Sequence, residues 1–486
     1  MRLDVKGAGA LPHSLLLGTA GVAALLCAAA VVRWDVWSYG SDTGTFAQAI
    51  AHAPQGFSDA MEGGTHLRFH FSPILAVLWP LVALTRTPLV LQFVQIALIL
   101  SCPLLLAQLL RPYVPSPWPA RCGFLALLYP PLLAGAFSEF HELAFYPPLL
   151  LALFLSADRA RWGWFAACAL LLVCVREDAN VDLVLIGAAL CALALLRRTT
   201  LERGLLIGEP PEAERLSVAG AALSVCAAGA LAIYAFVLLP RIGSWPPSHF
   251  YDYAFAHGPV QTALALFTHP LALIAATATL GRVTYLLEAL APLAFLPIFS
   301  RWSLLSLPAL AGILLASDGS VWRMGMHYEL LWAPLLLLGA CVTLVLLVRA
   351  RSESTATLWW AIACGACVIV LAAFNPMHPA HYLRLQAFAH PADARRAFLC
   401  VPRDAPVATH DEWFAHEALA FPNATVLGAD PAVFRGYVVY DRGWRNPLFE
   451  HALPALEAGA QNGAFTIVCE SGSVRVLRST SYRTGG

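Results

Sequence analysis

The chain has 486 residues, of which 59% are hydrophobic and only 12% are charged, and thirty basic residues balance thirty acidic ones. A soluble domain is nearer ~25% charged. This composition, with a mean hydropathy of +0.67, therefore excludes a disordered chain, a nucleic-acid binder and an ordinary soluble enzyme. The class that remains is an all-α polytopic membrane protein.

Apolar runs that are suited to crossing a bilayer recur through residues 1–374, because a spanning helix needs ~20 mainly apolar residues. We predict about eleven transmembrane helices in this part of the chain. Their expected bounds are 14–32, 88–110, 121–138, 143–157, 162–176, 179–196, 216–239, 282–300, 302–317, 328–348 and 356–374. Pro130, Pro131, Pro147 and Pro148 predict kinks beside an internal cavity.

The distribution of basic residues predicts the orientation. With a cytoplasmic N-terminus, thirteen Lys and Arg residues lie in short inner segments, whereas seven lie in the longer outer segments before residue 375. This asymmetry is typical of the positive-inside rule. Most histidines and many carboxylates then fall on the outer side, which favours chemistry at that face over an alternating-access pathway through the midplane.

The first outer loop, residues 33–87, is long enough to have a structure and function of its own. Ser41-Asp42 precedes a helical pattern, so one interpretation makes either residue the N-cap of that helix. The alternative places Asp42 as a carboxylate that faces a cavity just outside the first span.

Two histidines lead into a short apolar run in the same loop. His66 and His70 precede residues 74–85, which are too few to span a bilayer and are predicted to lie in the interface. The histidines would bind a phosphate or line a substrate site, or they would simply sit at the headgroup level.

Glu139, His141 and Glu142 form a compact polar group between the third and fourth spans. One imidazole with carboxylates suits a divalent cation such as Mg²⁺ or Mn²⁺. A contact with substrate and a merely solvated loop are the alternatives.

Three more polar positions end predicted spans on the same side. Arg176 would pair with a carboxylate or reach a lipid phosphate. Arg323 and His327 form a predicted phosphate clamp at the mouth of the tenth span, although His327 would also suit a satisfied interface position.

From residue 383 the composition changes, and residues 383–486 predict a small α/β accessory domain outside the membrane. The expected strands contain 407–409, 437–440, 465–469 and 474–477, and the expected helices contain 411–420 and 447–459. Cys400 and Cys469 flank two of these strands. They would form a disulfide in an oxidising compartment or remain unpaired core thiols, and the unpaired state is slightly favoured.

The motifs resemble those of DUF2079, a family of bacterial membrane proteins, and the order of spans and loops resembles the GT-C glycosyltransferases. These include protein O-mannosyltransferases and the lipid A aminoarabinose transferase. The resemblance covers nearly the whole chain, with Glu142 and Arg176 as the looser positions. Its pattern is Asp42-x-Gly44-x-Phe46-x-Gln48, His70-Phe71-Ser72-Pro73, Phe140-His141, Glu177-Asp178 and His327-Tyr328.

This resemblance implies a GT-C-like membrane domain in a bacterial plasma (inner) membrane. It implies transfer of a sugar from a polyprenyl-phosphate donor to an extracytoplasmic glycan, lipid or protein, with Asp42 as the catalytic base or acceptor-aligning residue. The donor phosphate would be held by His66, His70, Arg176, Arg323, His327 and Tyr328, and a divalent ion by Glu139, His141 and Glu142. The alternatives are a transporter or flippase for a lipid-linked or polar solute, and a non-catalytic membrane scaffold.

Overall fold

The computed structural model describes residues 12–195, 210–243, 264–265, 267–350, 352–373, 390–428, 431, 434–443 and 452–482. Most of the first part of the chain is helical. Its α-helices are α1 His13–Asp35, α2 Ser41–Ala51, α3 Trp79–Thr85, α4 Leu89–Leu110, α5 Trp118–Leu128, α6 Pro130–Phe137, α7 Tyr146–Asp158, α8 Trp162–Val173, α9 Glu177–Leu195, α10 Pro210–Ile233, α11 Leu239–Ile242, α12 Pro270–Thr277, α13 Leu280–Leu290, α14 Leu307–Leu315, α15 Glu329–Arg349 and α16 Glu353–Ala373.

Five helices in the described part of the chain are long and apolar enough to cross a membrane, or six if α5 and α6 form one bent span. Shorter apolar helices lie at Pro73–Thr85, Trp162–Val173 and Arg301–Leu315. The first of these is the segment predicted to lie in the interface. The count of eleven spans stays a prediction.

Proline places the bend that the sequence predicted between α5 and α6. The two helices meet at 54°, and Pro130 begins α6 directly after Tyr129, which has an extended backbone. A proline in this position supplies no N–H for the preceding turn, so one straight helix cannot form. Pro147 and Pro148 instead lie in the first turn of α7, where proline is tolerated.

The helices pack around α15, which is buried over most of its length. By contrast, α1 buries only a stripe that includes Leu15, Leu26 and Ala30. Its other apolar side chains face outward, with Leu17 73% exposed. A broad exposed apolar surface on a long helix is what contact with lipid requires.

The C-terminal part contains a five-stranded mixed sheet. Strands β1 Ser58–Asp59 and β2 Gly64–Thr65 form a short hairpin earlier in the chain. The elements of the C-terminal part are α17 Pro391–Phe398, β3 Val407–Thr409, α18 Asp411–Glu417, β4 Ala424–Val426, β5 Tyr437–Asp441, α19 Ala452–Gln461, β6 Phe465–Ser471 and β7 Val474–Ser479. The strand order is β4-β3-β5-β7-β6, with β3 parallel to β4 and β5, and with β7 antiparallel to β5 and β6. These ranges confirm the strands predicted from the sequence and the start of the helix at residue 411.

Strand β5 is buried on both faces. Its residues divide between two apolar clusters, because successive side chains point to opposite sides of a sheet. Tyr437 and Val439 join one apolar cluster, which also contains Trp37 from the end of α1. Val438 and Tyr440 join a second cluster on the other face. The sheet therefore packs directly against the end of the helical bundle.

Cys400 and Cys469 form a disulfide with their Cα atoms 6.5 Å apart. The expectation that unpaired thiols are the more favoured state is therefore wrong. The reason is the packing of α17 against β6 and β7, which brings two residues 69 positions apart into bonding range.

Candidate functional site

Asp42 lies in the first turn of α2, just beyond the end of α1. The N-cap of α2 is Gly40, and no side chain supplies a capping hydrogen bond, so the capping interpretation of Ser41 or Asp42 is wrong. The side chain of Asp42 is 50% exposed and lines a cavity of about 270 Å³.

His141 holds the Asp42 carboxylate, with Nε2 3.1 Å from Oδ2. The backbone of His141 is itself anchored, since its N–H donates to Oε1 of Gln95 at 2.9 Å. Burial opposes a charge on His141, but the hydrogen bond to Asp42 and the Glu142 carboxylate, 3.7 Å from Nδ1, outweigh it and raise its pKa to about 9. Partial removal from water raises the pKa of Asp42, but the hydrogen bond and the charge of His141 outweigh this effect and keep the pKa below its ordinary value.

His327 stacks on His141, with ring centroids 3.4 Å apart and planes 21° apart. Burial lowers the pKa of His327 well below its ordinary value, and the positive charges of His141 and Arg176 act in the same direction. The pair therefore consists of one charged and one neutral imidazole at neutral pH. A neutral His327 can hydrogen-bond to a phosphate but adds no positive charge to a phosphate clamp.

Glu142 and Arg176 form a buried ion pair behind His141. The Nη1 atom of Arg176 lies 3.3 Å from Oε1 of Glu142, and both side chains are at most 2% exposed. Arg176 also pairs with Asp178 and lies over the ring of Tyr328, 5.6 Å from its centroid. Of the two interpretations of Arg176, pairing with carboxylates is the one observed.

Glu139 ties the start of α2 to the loop between α6 and α7. It accepts hydrogen bonds from the N–H of Gly40 at 2.8 Å and from the N–H and hydroxyl of Thr43, both at 3.1 Å. A Cβ at position 40 would come within 2.5 Å of Oε1 of Glu139, so a larger residue here would displace the Glu139 carboxylate from this contact.

His66 and His70 lie near Asp42 and His141, but each of these two histidines is paired with a carboxylate of its own. His66 is buried, and its Nδ1 lies 2.9 Å from Oε2 of Glu62. The Nδ1 atom of His70 lies 2.8 Å from Oε1 of Glu177. The ring of Phe46 separates His66 from His141, because it makes edge contacts with both.

The cavity collects polar side chains from four distant parts of the sequence. Asp42, Glu139, His141, Arg323 and His327 line it, whereas His66, His70, Arg176 and Tyr328 are not part of its wall. The full lining is Arg33, Ser38, Gly40, Ser41, Asp42, Ser138, Glu139, His141, Arg323, Met324, Gly325, Met326, His327, Asp411 and Glu412.

Three charged residues that line the cavity were not predicted as site residues from the sequence. Arg33 is buried, and its Nη2 lies 3.7 Å from Oε1 of Glu139. An arginine at the end of an otherwise apolar span is a signal for such pairing. Asp411 and Glu412 reach the cavity from α18, and nothing local in the sequence indicates that α18 packs on α2.

The residues predicted to bind a metal do not form one ligand set in this structure. Glu139 bonds to Gly40 and Thr43, whereas Glu142 pairs with Arg176. Among the described residues, the potential ligand atoms that lie within 4.8 Å of one another belong to Asp59, Glu62 and His66.

Solved structures with similarity to this chain include ArnT from Cupriavidus metallidurans bound to undecaprenyl phosphate. The identity is 12%, the match covers 96% of this chain and 99% of that one, and the TM-score is 0.49. The archaeal oligosaccharyltransferase AglB from Archaeoglobus fulgidus, in complex with an inhibitory peptide and a dolichol-phosphate, matches at 12% identity. That match covers 87% of this chain and 69% of AglB, with a TM-score of 0.43. Scores below 0.5 at this identity do not establish an activity.

A search of curated proteins gave no significant match. The model of the family described as "Predicted membrane protein (DUF2079)" matches residues 33–427. That range holds most of the chain, including Asp42, His141, Arg176 and His327. The chain therefore belongs to the DUF2079 family of predicted membrane proteins.

Proposed function

We propose that this protein is a membrane glycosyltransferase that moves a sugar from a polyprenyl-phosphate donor to an acceptor on the extracytoplasmic side. The observation that carries the proposal is the half-exposed Asp42 carboxylate on the wall of a polar cavity, held by His141 at 3.1 Å. A positioned carboxylate beside cationic groups is what glycosyl transfer requires, because positive charge develops at the anomeric carbon while the leaving phosphate becomes more negative.

The groups around the cavity support a division of roles. Asp42 orients the acceptor hydroxyl and takes its proton while the acceptor oxygen attacks the anomeric carbon. The bond from that carbon to the phosphate oxygen breaks, and its electron pair leaves on the polyprenyl phosphate. Arg323 is exposed and lines the same cavity, so it is suited to bind the phosphate.

His141 acts on Asp42 rather than on the substrate. Its charge keeps Asp42 ionised, which favours alignment of the acceptor and stabilisation of positive charge. The ring of His327 stacks on one face of the His141 ring and restricts its rotation. Glu142 and Arg176 support the pair from behind.

The proposed donor and orientation draw on features outside the cavity. Helices with exposed apolar faces, such as α1, provide a surface for a prenyl chain. The Cys400–Cys469 disulfide lies in the part that packs at the cavity end of the bundle, and disulfides persist in oxidising compartments. This supports an extracytoplasmic cavity, in agreement with the sided distribution of arginines.

Binding and release of polyprenyl phosphate test the proposal. The purified protein in nanodiscs is incubated with a panel of undecaprenyl-phosphate-linked sugars and with envelope extract as the acceptor source, and free undecaprenyl phosphate is measured. We expect release with at least one donor, and its loss in Asp42→Asn. Asp35→Asn is the matched control, because Asp35 is an exposed carboxylate at the end of α1 and outside the cavity. Absence of binding and release for every donor would contradict the proposal.

A further inference from the structure

The hairpin in the first loop holds a second group of titratable side chains, apart from the cavity. Strands β1 Ser58–Asp59 and β2 Gly64–Thr65 pair antiparallel. Asp59 ends β1, Glu62 lies in the turn, and His66 directly follows β2. The hairpin register therefore brings these three residues together, and their potential ligand atoms lie within 4.8 Å of one another.

The group is buried and carries more negative charge than its protein neighbours balance. Asp59 is 5% exposed and His66 is 1% exposed. Among the described residues, neither carboxylate has an Arg or Lys within ion-pair distance, and His66 is the partner of Glu62. The guanidinium of Arg68 contacts the backbone oxygen of Glu62, 3.5 Å away, and not its carboxylate.

One carboxylate oxygen in this group lacks a partner. Oδ1 of Asp59 accepts the N–H of Glu62 at 2.7 Å. Oδ2 is buried without a hydrogen-bond partner in the described part of the chain. An unsatisfied buried carboxylate oxygen is costly unless a proton or a cation compensates it.

We propose that Asp59, Glu62 and His66 bind one divalent transition-metal ion of the Mn²⁺ type. Two carboxylates and one imidazole are ligands suited to such an ion. Metal–ligand bonds of about 2.0–2.2 Å place ligand atoms within roughly 4.4 Å of one another, so small side-chain movements complete the set.

The ion would fix the hairpin against the cavity. Oε1 of Gln48 accepts the N–H of Ala60 in the same turn at 3.2 Å, and Phe46 lies between His66 and His141. This site does not depend on glycosyl transfer, because none of its three ligands lines the cavity.

Electron paramagnetic resonance with Mn²⁺ tests the proposal on the full chain in detergent after removal of metals with a chelator. We expect one bound Mn²⁺ per chain, with electron spin-echo modulation from an imidazole nitrogen. In Asp59→Asn and Glu62→Gln the half-saturating Mn²⁺ concentration should rise at least about tenfold. In His66→Gln the nitrogen modulation should disappear. Asp35→Asn, which changes an exposed carboxylate at the end of α1, should bind as the wild type does.

Two results would overturn the site. One is wild-type protein that binds no Mn²⁺ at millimolar concentration. The other is Mn²⁺ whose nitrogen modulation survives His66→Gln but is lost in His141→Asn, because the ion would then lie beside Asp42. The wild-type spectrum decides the presence of an imidazole ligand even if a variant does not fold.

Discussion

The ring of His141 contacts Asp42 through Nε2 at 3.1 Å and stacks on His327 with ring centroids 3.4 Å apart. One imidazole thus connects the first turn of α2 with the loop before α15. Because burial and neighbouring positive charges keep His327 neutral, the stacked pair does not place two positive charges in contact.

Asp42→Asn should abolish most activity without unfolding the protein. The amide keeps the shape of the side chain but removes the charge that aligns the acceptor, so release of polyprenyl phosphate should fall roughly 10²–10⁴-fold. Since Asp42 makes no capping hydrogen bond and the amide oxygen of Asn can still accept from Nε2 of His141, the melting temperature should change little. Unchanged release, measured beside Asp35→Asn, would remove Asp42 from the reaction.

Arg176→Gln should strongly destabilise the bundle, because it removes the guanidinium from the fully buried Glu142 carboxylate and leaves His141, 3.7 Å away, as its cationic neighbour. Loss of one member of a buried pair costs about 3–5 kcal/mol. Thermal unfolding in detergent measures this loss. The double variant Arg176→Gln with Glu142→Gln should recover much of it, since no uncompensated charge remains on Glu142. A single variant as stable as the wild type would show that the pair adds nothing.

Gln48→Leu should loosen the contact between the sheet and the helical bundle. The buried Nε2 of Gln48 donates to the carbonyl oxygens of Ala418, Phe421 and Ala424, each at 3.2 Å. Each buried group left unpaired costs about 1–3 kcal/mol, so amide hydrogen exchange within residues 411–427 should accelerate. The exposed Gln55 supplies the control Gln55→Leu. Equal exchange in both variants would contradict this anchoring role.

Acid should destabilise the C-terminal part through His410 and His416. Burial lowers the pKa of both to about 3, and Arg395 adds to the effect on His416. An unfolded histidine has a pKa of ~6.5, so the unfolded state binds protons first as the pH falls. Each neutral histidine therefore contributes its full stabilisation above about pH 6.5. This contribution declines towards pH 3, and at pH 5 the free energy of unfolding is lower by about 2 kcal/mol per histidine.

A single variant isolates one of these two histidines. In His416→Phe the aromatic ring can still stack on Trp37, whose ring lies 4.3 Å from that of His416, but it cannot be protonated. Unfolding measured at pH 7 and pH 5 should therefore show a smaller pH effect than in the wild type. An identical pH effect would mean that His416 titrates alike in both states.

Labelling of the denatured protein should count ten free thiols before reduction and twelve after it, because Cys400 and Cys469 are bridged. Cys400→Ser with Cys469→Ser should cost the C-terminal part about 2–5 kcal/mol in unfolding free energy. Cys102→Ser with Cys122→Ser keeps the bridge and controls for the loss of two cysteines. Twelve free thiols without reductant would show that no bridge forms.

The glycine and glutamine of the motif around Asp42 have structural reasons that the sequence does not reveal. A Cβ on Gly44 would lie 2.6 Å from the ring of Phe414, so glycine permits the close packing of α2 on α18. Gln48 anchors the carbonyl groups that follow α18. Both partners are more than 350 residues away in the chain, and no local pattern identifies them.

The sequence by itself determined the membrane class, the polar segments at the ends of the spans and four of the five strands of the C-terminal sheet. These features depend on local hydrophobicity and on side-chain periodicity of 2 or 3.6 residues, which are visible in short stretches. It also indicated that Asp42, His141 and His327 would meet, since each lies next to the end of a different span. Only the tertiary structure decided which partner each side chain takes. Packing paired Arg176 with Glu142 and joined Cys400 to Cys469, because such contacts depend on distances between elements that are separate in the chain.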